Sequence, residues 1–539
     1  MHQSTTCLPS KYARFIRWRW PAALVLFWAV GVIFLNWSGM SSDLGGDPDE
    51  AAHAVTSLMV RDYLAAGFGR NPLAFAKTYY EDFPRIALGH YPPLYYMVAG
   101  SVLLPRVSIQ TLFILQALTH AALATLTISF VRRQMSPWLT AATGIGTFVL
   151  PVGLKLAQHV MSDTLLAFFC LWSAVAWANY LRTPTRHMAL LWGCIAAAAI
   201  LTKGSGMGLC LLPPTATLLS GKWRLIFTGS WWCAALPVAM LAGPWMLYST
   251  SISREGMTML TPSQYFIEAV PFYVGAMPHV FGWAMTILSL LGIWAGLTSH
   301  LRCKSLSNEA ASLAGMALGM SAVLLLVPVG LISRYMLTLA PVVMITAAYG
   351  LEAVPWRTSA PVSKAILLLV LIGVFIFNSG LPVKEVHGFT QAVTNSGLPV
   401  AGSTKQNWLI ASDPRGEGAI IAAAAFNCPQ RSPSPLRVYR GSKELASSDW
   451  MGRDYRSPFA DASAMLQHLD KLKVSRVFVD MSVPAAKRLP HEQLLYAAMQ
   501  SADDRWALDF EQPITRRPSE AGVLRVYQRI PPASFAPPN

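Results

Sequence analysis

Long apolar runs, separated by short polar segments, fill the first 380 or so residues of this chain. A transmembrane helix needs roughly 20 apolar residues to cross about 30 Å of hydrocarbon. By that measure about eleven runs are predicted to span: 21–37, 109–131, 137–157, 164–181, 188–202, 206–220, 226–248, 277–298, 311–331, 335–352 and 364–381. The fifth, sixth and tenth are short. After Val383 the pattern changes. Strands are predicted at Trp408–Ser412, Leu436–Arg440, Val474–Asp480 and Gly522–Gln528, alternating with helical stretches at Gly416–Phe426, Asp461–Lys473 and His491–Ser501. That alternation predicts a small α/β domain.

Charge sets an orientation. With the N-terminus inside, the inner segments hold Lys11, Arg14, Arg17, Arg19, Arg132, Arg133, Arg182, Arg186, Lys222, Arg224, Arg302, Lys304, Arg357 and Lys364, against only Glu309 and Glu352. The opposite face holds Asp43, Asp47, Asp49, Glu50, Glu81, Asp82 and Asp163. This asymmetry obeys the positive-inside rule and predicts an inside N-terminus and an outside tail. Three regions follow: a cytoplasmic N-terminus at 1–20, a transmembrane domain at 21–383, and an outer α/β domain at 384–539. The first run is read as a retained anchor, because no small-x-small cleavage site follows it closely. The first outer segment, 38–108, is too long for a plain connection. It contains a predicted helix from Pro48 to Ala66 and an apolar run, Leu94–Leu104, too short to span.

Composition narrows the class. Only 13% of the 539 residues are charged and 53% are hydrophobic, where soluble domains carry roughly 25% charge. The net charge of +15 lies in loops between apolar runs, with no basic patch interleaved with aromatics, so nucleic acid is not an expected partner. The seven cysteines show no C-x-x-C spacing, so neither a zinc site nor a disulfide framework is indicated.

Candidate chemistry gathers on the outer face. Asp47-Pro48-Asp49-Glu50 follows the first run. Asp47 and Glu50 fit a capping box with Pro48 at the first helical position. That reading does not require Asp49, and His53 shares a helix face with Asp49 and Glu50. Asp163 either caps the fourth span or adds a second carboxylate to the same cavity. Lys203 and Arg334-Tyr335 either snorkel to headgroups or neutralise a phosphate. Tyr91, Tyr95 and Tyr96 are either an interfacial aromatic belt or part of a site.

The ordered set of Asp49-Glu50, His90-Tyr91-Pro92-Pro93-Leu94-Tyr95-Tyr96, Asp163, Thr202-Lys203-Gly204 and Arg334-Tyr335 resembles the GT-C superfamily of integral-membrane glycosyltransferases. The resemblance lies near the protein O-mannosyltransferase and aminoarabinose-transferase branch (glycosyltransferase family 39-like) and covers residues 20–350. It departs at His53, where aminoarabinose enzymes more often have Arg, which leaves the donor sugar open. The resemblance implies an inner-membrane enzyme that inverts a sugar from a polyprenyl-phosphate donor onto an envelope lipid, polysaccharide or protein. Asp49 would be the base, Glu50 would orient it or bind acceptor, and Asp163 would position acceptor or sugar. Lys203 and Arg334 would hold the phosphate, with Tyr335, Tyr91 or Tyr95 donating hydrogen bonds and His53 and His90 lining the substrate site. Two cations can do the phosphate work without a metal, although the resemblance also admits a divalent ion. The alternatives are a secondary transporter, which would place ionisable groups near mid-membrane, and a lipid-binding membrane protein.

Overall fold

The computed structural model describes residues 10–530, except 88, 304, 355–360, 450–451, 502–503 and 518–519. Cys7, Lys304 and Arg357 lie outside the described residues, as do the side chains of Lys11, Arg14, Arg17, Arg19 and Cys303. Helical segments occupy all eleven stretches expected to span. Among the described residues, seven helices are long and apolar enough to cross a membrane, or nine if each of two bent pairs is one span. The chain is an integral membrane protein. Two expected spans fall short for local reasons. Arg186–Thr202 has 17 residues, and the next stretch opens as a 3-10 turn, Gly204–Leu211, before the helix Leu212–Leu219. Breaks have visible causes too: Pro151 begins a new helix after Val149 with a 53° bend, and at Gly282 the path turns by 113°.

With apolar lipid outside and apolar side chains within, close packing rather than exclusion of water holds such helices together. The pair Trp283–Cys303 and Ala340–Ala353 shows this most clearly. A methyl at Gly292 would sit 1.9 Å from Thr346 O, and one at Gly350 would sit 2.1 Å from Leu288 O. Neither position has room for a side chain. Gly292→Leu is expected to destabilise the detergent-solubilised protein by about 1–3 kcal/mol or more, read as a lower thermal midpoint. Gly296→Leu is the control, because no atom lies within 4 Å of its added carbon, and the two should differ clearly.

The residues after the last apolar helix, Pro361–Ser379, build a five-stranded sheet in the order β2-β1-β3-β5-β4. Its strands are β1 (Gln406–Ala411), β2 (Leu436–Arg440), β3 (Arg476–Asp480), β4 (Trp506–Thr515) and β5 (Ala521–Arg529). β1 is parallel to both β2 and β3, whereas β5 runs antiparallel to β3 and β4. A strand thus lies over each of the four expected stretches. β4 was not foreseen: Leu508 faces outward, Gln512 is buried and Pro513 lies within the strand, which blunts the alternation. The period of two divides the core. Trp408, Ile410 and Phe478 pack with helix Pro414–Asn427, and Leu409, Val477 and Val479 pack with Leu466, Leu469 and Leu495 on the other face.

Helix Pro414–Asn427 seats the sheet on the first long loop. A carbon added at Gly418 would touch Ala51 at 2.9 Å. The Arg85 guanidinium donates to Pro48 O at 2.6 Å and to Pro414 O at 2.9 Å. Arg431 pairs with Asp62 at 2.7 Å and Lys405 with Asp82 at 2.6 Å. Within the loop the helix runs Glu50–Asp62 and continues as a π-helical turn, Tyr63–Gly67, starting two residues later than expected. The apolar run becomes a nine-residue helix, Leu94–Val102, with Tyr95, Tyr96, Ala99 and Gly100 buried.

Candidate active site

Four distant stretches bring acid and cation together. The turn before helix Glu50–Asp62 carries Asp47 and Asp49. Asp163 opens helix Asp163–Arg182, Lys203 follows helix Arg186–Thr202, and Arg334 and Tyr335 lie in the 3-10 turn Ser333–Leu339. Arg334 forks between the first two acids: Nη2 is 2.7 Å from Asp49 Oδ2, and Nη1 pairs with Asp47. The Tyr91 hydroxyl donates to the same Asp49 oxygen at 3.1 Å. Lys203 Nζ stands 2.7 Å from Asp163 Oδ1 and 4.4 Å from the centre of the Tyr335 ring. The Arg334 guanidinium lies 5.4 Å from that ring, so Tyr335 contacts the cations of both pairs.

Exposure separates the two adjacent acids. The Asp49 side chain is 27% exposed and reachable, whereas Glu50 is 0% exposed. Burial opposes ionisation of Asp49, yet the Arg334 charge, helped by His53 and Lys203, holds its carboxyl below the usual carboxylate range. Burial likewise opposes ionisation of Glu50, and Lys384 overrides it, again lowering the carboxyl. Glu50 Oε1 is 2.5 Å from Lys384 Nζ. His53 is pushed down to about 4 by burial, against the pull of Asp49, so it is neutral at pH 7. Its Nδ1 is 2.9 Å from Tyr96 OH, and its ring meets Tyr91 edge-on at 4.6 Å. The capping box takes a different form from the one expected. Asp47 Oδ1 accepts the Asp49 N–H at 3.1 Å, and the Glu50 carboxylate reaches back past Asp47 to the N–H groups of Gly45 and Gly46, both at 3.0 Å.

The cluster stands between two cavities. One, of about 370 Å³, has a polar end formed by His90, Tyr91, Asp163, Lys203 and Tyr335. Its remaining wall is mostly apolar, with Met207, Met246, Met320, Val323 and Leu324 beside Ser205, Ser253 and Thr338. The other, also about 370 Å³, is bounded by Asp47 and Arg334 together with Lys155, His159, His279 and Arg517. Asp49 lines neither cavity itself and meets them only through its partners, Tyr91 at the first and Arg334 at the second. Glu50, His53 and Tyr95 also line neither cavity, although the His53 ring meets Tyr91 at the first and Glu50 accepts from Gly46 at the second. Tyr95 instead accepts from Gln116 Nε2 at 2.8 Å, and Gln116 also donates to Met161 O at 2.7 Å. The carboxylates do not suit a divalent ion, since Arg334 or Lys203 already engages Asp47, Asp49 and Asp163.

No family model and no curated protein matches the chain. Its structure does have solved counterparts. Against ArnT from Cupriavidus metallidurans in the apo state the TM-score is 0.53 at 12% identity, covering 96% of this chain and 98% of that one. The fold is that of the GT-C glycosyltransferases. The apo oligosaccharyltransferase of Archaeoglobus fulgidus superposes with a TM-score of 0.50 at 12% identity, over 86% of this chain and 70% of that one. At such identity the likeness concerns the fold, and the site must be argued from this chain's own side chains.

Lys384 and Gln116 were not among the residues singled out from the sequence. Lys384 was discoverable: it is an isolated cation just past the last apolar run, the same signal that singled out Lys203 and Arg334. Gln116 is a lone amide inside an apolar helix, which in a membrane marks a buried polar contact. Tyr96, named there with Tyr91 and Tyr95, partners His53 and not Gln116.

Proposed function

We propose that the chain is an inverting glycosyltransferase that moves a sugar from a polyprenyl-phosphate donor to an envelope acceptor. The observation that carries this reading is the first cavity, which joins one cationic, hydroxyl-bearing end to a methionine- and valine-lined wall. A lipid phosphate has that same division, with its charge against Lys203 and Tyr335 and its isoprenoid along Met207, Met320 and Val323. The acceptor hydroxyl attacks the anomeric carbon as the bond to the phosphate oxygen breaks. Its proton passes to the Asp49 carboxylate, and the electron pair leaves with the polyprenyl phosphate. A carboxylate held low is a weak base, but the acceptor proton becomes acidic as the new bond forms, so late transfer suffices. Lys203 and Arg334 stabilise charge growing on the phosphate. Asp163 keeps Lys203 aimed at it.

In this reading the site and residues 384–539 lie on the outer face of a bacterial inner membrane, as charge asymmetry implies. The test is binding of a long-chain polyprenyl phosphate to the full-length protein in nanodiscs, paired with mass spectrometry of envelope glycans from cells with and without the protein. Saturable binding, weakened about tenfold or more by Lys203→Ala, and a glycan that disappears with the protein are the expected results. Unchanged glycans would reject the transferase.

A further inference from the structure

Glu50 sits beside the proposed base yet faces no cavity. Its carboxylate is fully buried and accepts four hydrogen bonds. Oε2 takes the N–H groups of Gly45 and Gly46, each at 3.0 Å. Oε1 takes the Val160 N–H at 3.2 Å and Lys384 Nζ at 2.5 Å. Two of these donors immediately precede Asp47, and the third is three residues ahead of Asp163. One carboxylate therefore ties together the two turns that carry the reactive acids.

Lys384 fastens the same knot to a third strand of chain. Its side chain is 2% exposed and lies 4.6 Å from the Phe113 ring centre. Its N–H donates to Ser38 O at 2.8 Å, and its carbonyl accepts from the Ser42 hydroxyl. Two residues earlier, Pro382 O accepts from Gln158 Nε2 at 2.7 Å. The turns interlock sterically as well: a methyl at Gly46 would fall 2.5 Å from His159 Nε2. Segments 38–50, 158–163 and 382–386 thus meet around a single buried ion pair.

We infer that Glu50 and Lys384 form a positioning pair, which sets the placement of Asp49–Arg334 relative to Asp163–Lys203 and touches no substrate. This rests on the transferase reading above. It assigns Glu50 a role other than orienting the base directly or binding acceptor. It also gives the segment leading to the sheet a direct hold on the site. Placement matters because an error of about 1 Å at a reacting centre can cost about 100-fold in rate.

An ion pair that merely stabilised the fold would have the same burial, so the test must separate the two roles. Variants of the full-length chain are expressed in cells lacking the protein. Glycan output is normalised to folded protein in the membrane, and the Kd for a long-chain polyprenyl phosphate is measured in nanodiscs. Glu50→Asp keeps the charge and withdraws the carboxylate by one methylene. It is expected to lower normalised output about tenfold or more, with Kd within about twofold of the parent. Exchanging the pair, Glu50→Lys with Lys384→Glu, restores opposite charges but presents an ammonium to three N–H donors. That variant should stay as low as Glu50→Asp. Recovery in the exchanged pair, or normalised output unchanged in Glu50→Asp, overturns the inference and leaves a structural ion pair. Should the exchanged pair fail to fold, Glu50→Asp decides alone. Asp49→Asn serves as the reference: if it leaves output unchanged, Asp49 is not the base and this inference falls with it, whereas glycans unchanged in cells lacking the protein reject the transferase reading itself.

Discussion

Asp49→Asn is expected to lower turnover by about 10²–10⁴-fold, the usual contribution of a positioned acid or base, while leaving lipid-phosphate binding in place. Asparagine preserves the shape of the side chain and can still accept from Tyr91 and Arg334, so the fold should persist. What it loses is the capacity to take a proton. The acid side of the pH profile provides a second reading. A carboxyl whose folded pKa is depressed stays ionised as the pH falls through the ordinary carboxylate value and is protonated only below it. With Arg334 holding Asp49 down, the ion pair contributes fully above about pH 4 and is lost at lower pH. Activity should therefore show no loss attributable to Asp49 between about pH 5 and 7, with its acid limb below the usual carboxylate range. Single-turnover transfer across that range, on enzyme shown to bind donor, checks both statements. Retained turnover in Asp49→Asn would remove Asp49 from the role of base.

Lys203→Met should do two separable kinds of damage. Lys203 and Asp163 are 11% and 4% exposed in their side chains, with 2.7 Å between them, and Asp163 Oδ2 is buried without a hydrogen-bond partner. Removing the ammonium leaves a carboxylate in a poorly solvated place. Breaking such a pair costs about 3–5 kcal/mol, read as a lower thermal midpoint in detergent. The double variant Lys203→Met with Asp163→Leu removes both charges and should recover most of that stability, since a buried pair replaced by apolar groups is often neutral. Donor binding should not recover, because the cation that remains near the Tyr335 ring, Arg334, is held by Asp47 and Asp49 and does not line this cavity. Binding restored in the double variant would mean that Lys203 serves the fold and not the phosphate.

Much of this protein was legible from local sequence. Hydropathy located the helical stretches because each long apolar run must satisfy its own backbone in lipid, and the shift after Val383 marked where strands begin. Charge counts put Asp47, Asp49 and Asp163 on one face and the expected span ends put Lys203 and Arg334 there too, and these residues do meet. Span lengths were less legible. Whether 204–219 runs as one α-helix or opens as a 3-10 turn depends on what packs against it, with Gly208 and Gly319 too close for any side chain.

Pairing was decided by tertiary structure alone. In the sequence Asp49 and Glu50 are adjacent acids at a helix start, separated only by the capping box that Glu50 fits and Asp49 does not need. Their roles diverge because one points to Arg334, 285 residues away, and the other to Lys384, 334 residues away. Arg334 likewise could have snorkelled to headgroups, and only the fold turns it onto Asp47 and Asp49. Sequence determined which residues are polar in an apolar chain, because that is a local property of composition. The fold determined which of them stay reachable and which become buried props, because that depends on contacts between segments that composition does not encode locally.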